Sequence, residues 1–132
     1  MERVSLVFVS HSADIVKGIK SLLFEMQPEI SIAVAGGEED GGIGTNAMDI
    51  QQALESVYTD KGTVVLFDLG SALLNAELAI EMIGEDRRIL IADAPILEGG
   101  YAAVVEAGFG SEAERVVEAA EKARSMRKIP QD

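Results

Sequence analysis

Residues 4–10, Val-Ser-Leu-Val-Phe-Val-Ser, form a run of β-branched, apolar and small side chains close to the N-terminus. This composition is typical of a strand that is buried on both faces, as in a parallel sheet. A helical spacing of apolar residues begins directly after Ser12. The connecting residues therefore lie at the carboxyl edge of the predicted sheet, where open α/β folds bind ligands. The sequence has one histidine, His11, and it falls in this connection.

Strand-like and helix-like segments alternate along the rest of the chain. Further apolar runs predict strands at residues 30–35, 63–68 and 89–92. Apolar periodicity predicts five helices. The first covers 13–27 and is capped by Ser12, the second covers about 46–58 and is capped by Thr45 or Asn46, and the next two cover 72–83 and 101–107. The last is opened by a capping box at Ser111 and ended by Pro130. In the first helix the apolar positions are Ile15, Ile19, Leu22, Leu23 and Met26.

This alternation predicts an α/β fold with an open, mostly parallel sheet, core strand order 2-1-3-4, and helices on both faces. A chain of 132 residues is long enough for one core, so we expect a single domain over residues 1–132. In that strand order the chain reverses direction between strands 1 and 3, which opens a crevice at their carboxyl ends. His11 from strand 1 and Asp68, Gly70 and Ser71 from strand 3 are predicted to meet there, with the loop at residues 36–45 beside them.

Composition excludes several functions. The sequence has 23 acidic against 11 basic residues, a formal net charge of −12, which disfavours binding to nucleic acid or anionic membranes and favours basic protein partners. The acidity is also compatible with a role in solubility or with a saline habitat. With no cysteine and one histidine, a metal site is not expected. The sequence shows no signal-peptide pattern or long apolar run, so we expect a cytoplasmic protein.

His11 itself has a short list of chemical roles. A serine-hydrolase triad is disfavoured because no Gly-x-Ser-x-Gly occurs, and capping is the favoured role of Ser10, Ser12 and Ser71. What remains is a neutral imidazole that attacks phosphorus while an acceptor holds its other nitrogen. Asp68 is the candidate acceptor, although a turn or capping role is an open alternative.

The phosphoryl group would need hydrogen-bond donors. Backbone N–H groups near Ser12 and at Gly70-Ser71 are the candidates, because no Arg or Lys lies in these motifs.

The loop at residues 36–45 contains five glycines in ten residues. Its sequence matches no nucleotide-binding glycine pattern, and its three carboxylates would repel a triphosphate. A recognition or site-shaping loop is the better interpretation, and we expect no cofactor. The loop residues assigned this role are Gly36, Gly37, Asp40, Gly41, Gly44 and Thr45.

The helix predicted over residues 72–83 is apolar on more than one face, which predicts a homodimer interface. One row of its side chains is Leu73, Ala76, Ile80 and Ile83, and the other is Leu74, Leu78 and Met82.

Four motifs in order resemble one family: Val-Ser-His-Ser at 9–12, Gly-Gly-x-x-Asp-Gly-x-Ile-Gly-Thr at 36–45, Asp-Leu-Gly-Ser-Ala at 68–72, and Pro-x-x-Glu-Gly at 95–99. Together they resemble the phosphotransferase subunits of phosphoenolpyruvate-dependent dihydroxyacetone kinases. The fold of that family is similar to the enzyme IIA domain of mannose-type sugar phosphotransferase systems.

The resemblance implies that His11 accepts a phosphoryl group from the phosphocarrier protein HPr and passes it to ADP on the kinase's nucleotide-binding subunit. It implies that Asp68 orients the histidine, and that the protein is a homodimer. Since the sequence stops at Asp132, we expect the phosphate to come from a separate protein. Two alternatives stay open: a regulatory or interaction domain of the same fold, and the enzyme IIA component of a mannose-type transporter.

Overall fold

The computed structural model describes residues 2–130, in which four strands alternate with helices and a fifth α-helix follows the fourth. Their bounds are β1 Ser5–Ser10, α1 Ala13–Met26, β2 Ile32–Gly36, α2 Ala47–Val57, β3 Thr63–Phe67, α3 Ala72–Ile83, β4 Ile89–Ile91, α4 Ile96–Gly108 and α5 Ala113–Lys122, with a 3₁₀ turn at Ala123–Ser125. The sheet order is β2-β1-β3-β4 and every strand pair is parallel. The predicted fold class and strand order are confirmed.

Strand β1 divides the core in two because its side chains alternate between the sheet faces. Leu6 and Phe8 pack with helices α1, α4 and α5, whereas Val7 and Val9 pack with α2 and α3. All of β1 is buried, as expected for a central parallel strand. Helices therefore cover both faces of the sheet, as predicted.

Helix α1 buries only two of its five predicted apolar positions, Ile19 and Leu23, and buries Val16 in addition. Its buried residues are Val16, Ile19 and Leu23, whereas Ile15, Leu22 and Met26 are each about half exposed. The reason lies at the end of β2. A Cβ on Gly36 would lie 2.9 Å from Val16 Cγ2, so the missing side chain leaves the space that Val16 fills.

Helix α4 begins at Ile96, earlier than the predicted start at residue 101. Gly99 and Gly100 lie inside it because the helix approaches the sheet closely. A Cβ on Gly100 would lie 2.5 Å from Phe8 Cε1, and one on Gly99 would lie 2.7 Å from Ala94 Cβ. The two glycines therefore permit packing here and do not break the helix.

The start and end of the last helix also differ from the prediction. The Ser111 hydroxyl donates a hydrogen bond to Glu106, and no side chain in the described part of the chain caps helix α5, so the predicted capping box is wrong. The helix ends at Lys122 and a 3₁₀ turn follows, well before Pro130. None of the helices formed by residues 2–130 is long and apolar enough to cross a membrane.

Candidate functional site

His11 and Asp68 meet at the carboxyl edge of the two central strands. The parallel register of β1 and β3 pairs Val9 with Phe67, so the residues that follow each strand lie side by side. His11 lies in the connection to α1, and Asp68 directly follows β3. Both side chains are largely buried, with 19% and 13% of their surface exposed.

The Asp68 carboxylate accepts four hydrogen bonds. Its Oδ1 accepts from the backbone N–H of Leu69 at 2.7 Å and lies 3.0 Å from the imidazole Nδ1 of His11. Its Oδ2 accepts from the hydroxyl of Ser10 at 2.7 Å and from the backbone N–H of His11 at 3.0 Å. Since an ionised carboxylate can only accept, Nδ1 carries the hydrogen. The lone pair of the neutral ring is then on Nε2, which faces away from Asp68.

Asp68 stays ionised despite its burial. Burial alone would raise the pKa of the Asp68 carboxyl. The hydrogen bonds from the Ser10 hydroxyl, the N–H and imidazole of His11, and the N–H of Leu69 outweigh it and hold this pKa below its usual value. The site therefore has a fixed negative charge behind the imidazole at neutral pH.

The three serines of the site have three different roles. Ser12 caps helix α1 by accepting from the Ile15 N–H at 3.4 Å, as predicted. Ser71 precedes helix α3 without capping it, and its hydroxyl lies 2.7 Å from Nε2 of His11. Ser10 is fully buried and bonds to Asp68, so it contacts the carboxylate and not the open side of the imidazole.

Two backbone donors lie in the connection between β3 and α3, one at Gly70 and one at Ser71 itself. Among residues 2–130, the N–H groups of Gly70 and Ser71 have no hydrogen-bond acceptor. The N–H of Ser12, by contrast, already donates to Ser10 Oγ at 3.0 Å. Of the donors named from the sequence, those at Gly70-Ser71 are therefore the ones left without an acceptor in the described residues.

The glycine-rich loop lies directly over the connection that contains His11. The Gly44 N–H donates to the His11 carbonyl at 2.8 Å. Gly37 has φ +79°, a left-handed backbone conformation that glycine adopts without strain. At the tip, Gly41 has φ +87° and the Asp40 carboxylate accepts from the loop backbone. The side chains of Glu38, Glu39 and Asp40 are exposed.

Sequence reasoning missed Asn75 on helix α3. Its Nδ2 donates to Thr45 Oγ1 at 2.8 Å and to the Thr45 carbonyl at 3.2 Å, which fixes the end of the glycine loop to α3. The signal was a polar residue four positions after Ser71 in the first turns of helix α3, since residues four apart share a helix face. Its partner is 30 residues away and could not be read from this spacing.

The part of the chain that the structure describes contains no group of three or more histidine, aspartate or glutamate side chains that could hold a metal ion. The site is a histidine with a fixed tautomer and one hydroxyl on its free nitrogen, and the residue that supplies this hydroxyl belongs to the Gly70-Ser71 pair whose N–H groups have no acceptor among residues 2–130. This arrangement can bind and exchange a small anionic group on Nε2.

The fold and this site define a class of protein. The family model EIIA-man, described as the PTS system fructose IIA component, matches residues 5–117, and the chain belongs to this family.

Within the family, the chain is similar to subunits named DhaM. It is 44% identical over 101 residues to the phosphoryl donor subunit DhaM of PEP-dependent dihydroxyacetone kinase 1 from Listeria innocua, covering 76% of this chain and 79% of that subunit. It is 40% identical over 110 residues to the DhaM phosphotransferase subunit from Lactococcus lactis, covering 82% of this chain and 87% of that one. The crystal structure of EF1359, a protein of unknown function, matches with a TM-score of 0.80 and 33% identity over 92% of this chain and 95% of that protein.

Proposed function

We propose that this protein is a phosphohistidine carrier for a dihydroxyacetone kinase. His11 accepts a phosphoryl group from the phosphocarrier protein HPr and passes it to ADP held on the nucleotide-binding subunit of the kinase. The observation that carries the proposal is the geometry of His11, with Nδ1 held by Asp68 at 3.0 Å and Nε2 facing Ser71 at 2.7 Å. The names of the DhaM relatives support the choice of reaction.

The charging step needs a lone pair on Nε2. Because Nδ1 donates to Asp68, the neutral ring offers this lone pair to the phosphorus atom of the donor. A bond forms between Nε2 and phosphorus while the bond between phosphorus and the donor breaks, and the donor keeps that electron pair. The ring retains its Nδ1 hydrogen and becomes positively charged, so the Asp68 carboxylate stabilises the phosphorylated state.

The discharge step reverses this arrangement. A terminal phosphate oxygen of ADP attacks the phosphorus, the bond to Nε2 breaks, and its electron pair returns to the ring, which is again neutral. ATP forms on the partner subunit. No proton has to move at His11 in either step.

The phosphoryl oxygens require donors in both steps. We infer that the Ser71 hydroxyl turns from Nε2 to a phosphoryl oxygen when the group arrives. The N–H groups of Gly70 and Ser71, at the start of helix α3, supply further donors and the positive end of a helix dipole. Since no Arg or Lys lies in these motifs, the remaining positive charge would come from the partner.

Docking of the partners is assigned to the surface around His11. The exposed carboxylates of the loop, Glu38, Glu39 and Asp40, favour a basic face of HPr. The Gly36–Thr45 loop then serves recognition, and we infer no bound nucleotide or sugar on this chain. We place the carrier in the cytoplasm with these partners, and take residues 1–132 as one phosphocarrier domain.

Helix α3 supports a homodimer. Its outer row is exposed, with Leu74 at 74%, Leu78 at 45% and Met82 at 43% of their surface. Ala72, Ala76 and Ala79 of the same helix are already buried against the sheet, so residues 2–130 leave the outer row open for a second molecule to cover. We therefore propose that two copies associate through this face.

Charging tests the proposal. The protein is incubated with ³²P-labelled phosphoenolpyruvate, enzyme I and HPr, and acid-labile phosphate is mapped. We expect label at His11 and none in His11→Ala, with the unfolding temperature of the variant close to that of the wild type. Absence of label in the wild type, or acid-labile label that persists in His11→Ala, would contradict the proposal.

A further inference from the structure

Ser10 has an unusual pair of contacts for a hydroxyl at the end of a strand. It is fully buried, it donates to Asp68 Oδ2 at 2.7 Å, and it accepts from the Ser12 N–H at 3.0 Å. It therefore connects the start of helix α1 to the carboxylate that holds His11. It contacts neither ring nitrogen.

We propose that Ser10 is a positioning residue for phosphoryl transfer, whose hydroxyl holds the Asp68 carboxylate in the orientation that keeps the hydrogen of His11 on Nδ1. The proposal deepens the proposed function and rests on it for the transfer reaction. Its effect on the imidazole can be measured in the unphosphorylated protein.

The direction of the hydroxyl is fixed by its neighbours. Because Ser10 Oγ accepts from the Ser12 N–H, its own hydrogen points to Asp68. The Ser12 N–H belongs to the N-terminus of helix α1, where the helix dipole is positive, and such a donor polarises the hydroxyl and strengthens the bond it donates. Without Ser10, Oδ2 would keep only the N–H of His11 at 3.0 Å.

The charge of Asp68 depends on the same contact. Its hydrogen bond from Ser10 comes first among the interactions that lower the pKa of this carboxyl against its burial. The imidazole of His11, just after β1, is the titratable side chain that also lowers this pKa. The connection between β3 and α3 lowers it only through the N–H of Leu69. Loss of the Ser10 hydroxyl therefore loosens the carboxylate and makes it easier to protonate.

A matched control lies on the same strand. Ser5 is also fully buried on β1, and its hydroxyl bonds to Thr63 Oγ1 of β3 at 2.8 Å, at the far end of the strands from His11. Ser5→Ala removes a buried hydroxyl between the same two strands without touching the site. A role of Ser10 in strand pairing alone would be reproduced by Ser5→Ala.

The experiment compares Ser10→Ala, Ser10→Cys, Ser10→Thr and Ser5→Ala by NMR and by transfer rate. The ¹⁵N shifts of the imidazole report the tautomer of His11, and the ¹³C shift of the carboxyl followed with pH reports the pKa of Asp68. We expect Ser10→Ala to raise this pKa, because the carboxylate loses one of the hydrogen bonds that stabilise its charged form. The share of the Nδ1–H tautomer falls, and transfer from HPr at neutral pH slows roughly 3–10-fold.

The other variants decide between positioning and general packing. Ser10→Cys has nearly the same shape as the wild type but only a weak donor, and it replaces Ser10→Ala if that variant does not fold. We expect its tautomer and its Asp68 pKa to shift in the same direction as in Ser10→Ala. Ser10→Thr restores the wild-type values. Ser5→Ala leaves the tautomer and the pKa unchanged. An unchanged tautomer and pKa in folded Ser10→Ala or Ser10→Cys, or equal shifts in Ser5→Ala, would overturn the inference. If the wild type is never charged, the proposed function fails, and the NMR result still decides the role of Ser10.

Discussion

Replacing Asp68 by Asn tests the tautomer argument with almost no change of shape. Four donors converge on the carboxylate: the hydroxyl of Ser10, the N–H of Leu69, and the N–H and imidazole of His11. An amide has one oxygen and one NH₂ group, so it can accept at only one of the two positions. With its oxygen toward Nδ1, its NH₂ faces the backbone N–H of His11. When flipped, its NH₂ forces Nδ1 to accept and moves the hydrogen to Nε2, the nitrogen that must attack.

The expected loss in transfer rate is about 10–100-fold, or about 1.4–2.7 kcal/mol in the activation barrier. A histidine that acts as general base in a serine protease loses on the order of 10⁴ when its aspartate becomes asparagine. We expect less here because His11 transfers no proton. The donors at Gly70 and Ser71 also remain in place to position the phosphoryl group.

The assay is a single-turnover measurement of phosphoryl transfer from phosphorylated HPr to Asp68→Asn. Asp60→Asn is the control, since it removes the same charge from an exposed position in the turn before strand β3, at the opposite edge of the sheet from His11. We expect the control to transfer at the wild-type rate. A wild-type rate in Asp68→Asn would refute the role given to this carboxylate.

Two further predictions concern assembly and packing. Leu78→Glu should convert the proposed dimer to a monomer at micromolar concentration in light scattering, because it places a charge in the exposed row of helix α3. Gly100→Ala should lower the free energy of unfolding by about 1–3 kcal/mol in urea denaturation, because the added methyl group would overlap the ring of the fully buried Phe8.

Each of these variants has a matched control. Leu22→Glu changes a leucine of similar exposure on helix α1, 49% against 45%, and should leave the oligomeric state unchanged. Gly18→Ala, where no atom of residues 2–130 lies within 4 Å of the added Cβ, should stabilise helix α1 by about 0.5–1 kcal/mol. A monomeric wild type, or equal effects of Gly100→Ala and Gly18→Ala, would contradict the respective prediction.

The position of the site could be predicted because it depends on strand order and strand ends. The runs that form β1 and β3 are rich in β-branched and apolar residues, which marks them as central, and parallel central strands bring His11 and Asp68 to one edge. The residue types at this edge, a lone histidine beside an aspartate, then limited the chemical reactions that the site could perform. The sequence left open whether Asp68 accepts from the imidazole or has only a turn or capping role. The geometry of the contact makes Asp68 the acceptor for the imidazole.

The sequence could not predict contacts that depend on how elements pack. The apolar positions of helix α1 permit two faces, and the space beside Gly36 selects the one with Val16. Gly99 and Gly100 have the local signal of a helix boundary, and their place inside α4 depends on the distance to the sheet. The role of Ser10 likewise depends on which side of β1 faces the Asp68 carboxylate.

Discharge of the charged protein tests the central claim most directly. The chain is phosphorylated on His11, freed of HPr, and mixed either with free ADP or with the ADP-loaded nucleotide-binding subunit of a dihydroxyacetone kinase. A carrier between proteins predicts that free ADP leaves the phosphohistidine intact, whereas the loaded subunit discharges it and forms one ATP for each phosphoryl group lost. Equally fast discharge by free ADP, or no discharge by the loaded subunit, would contradict the proposed role.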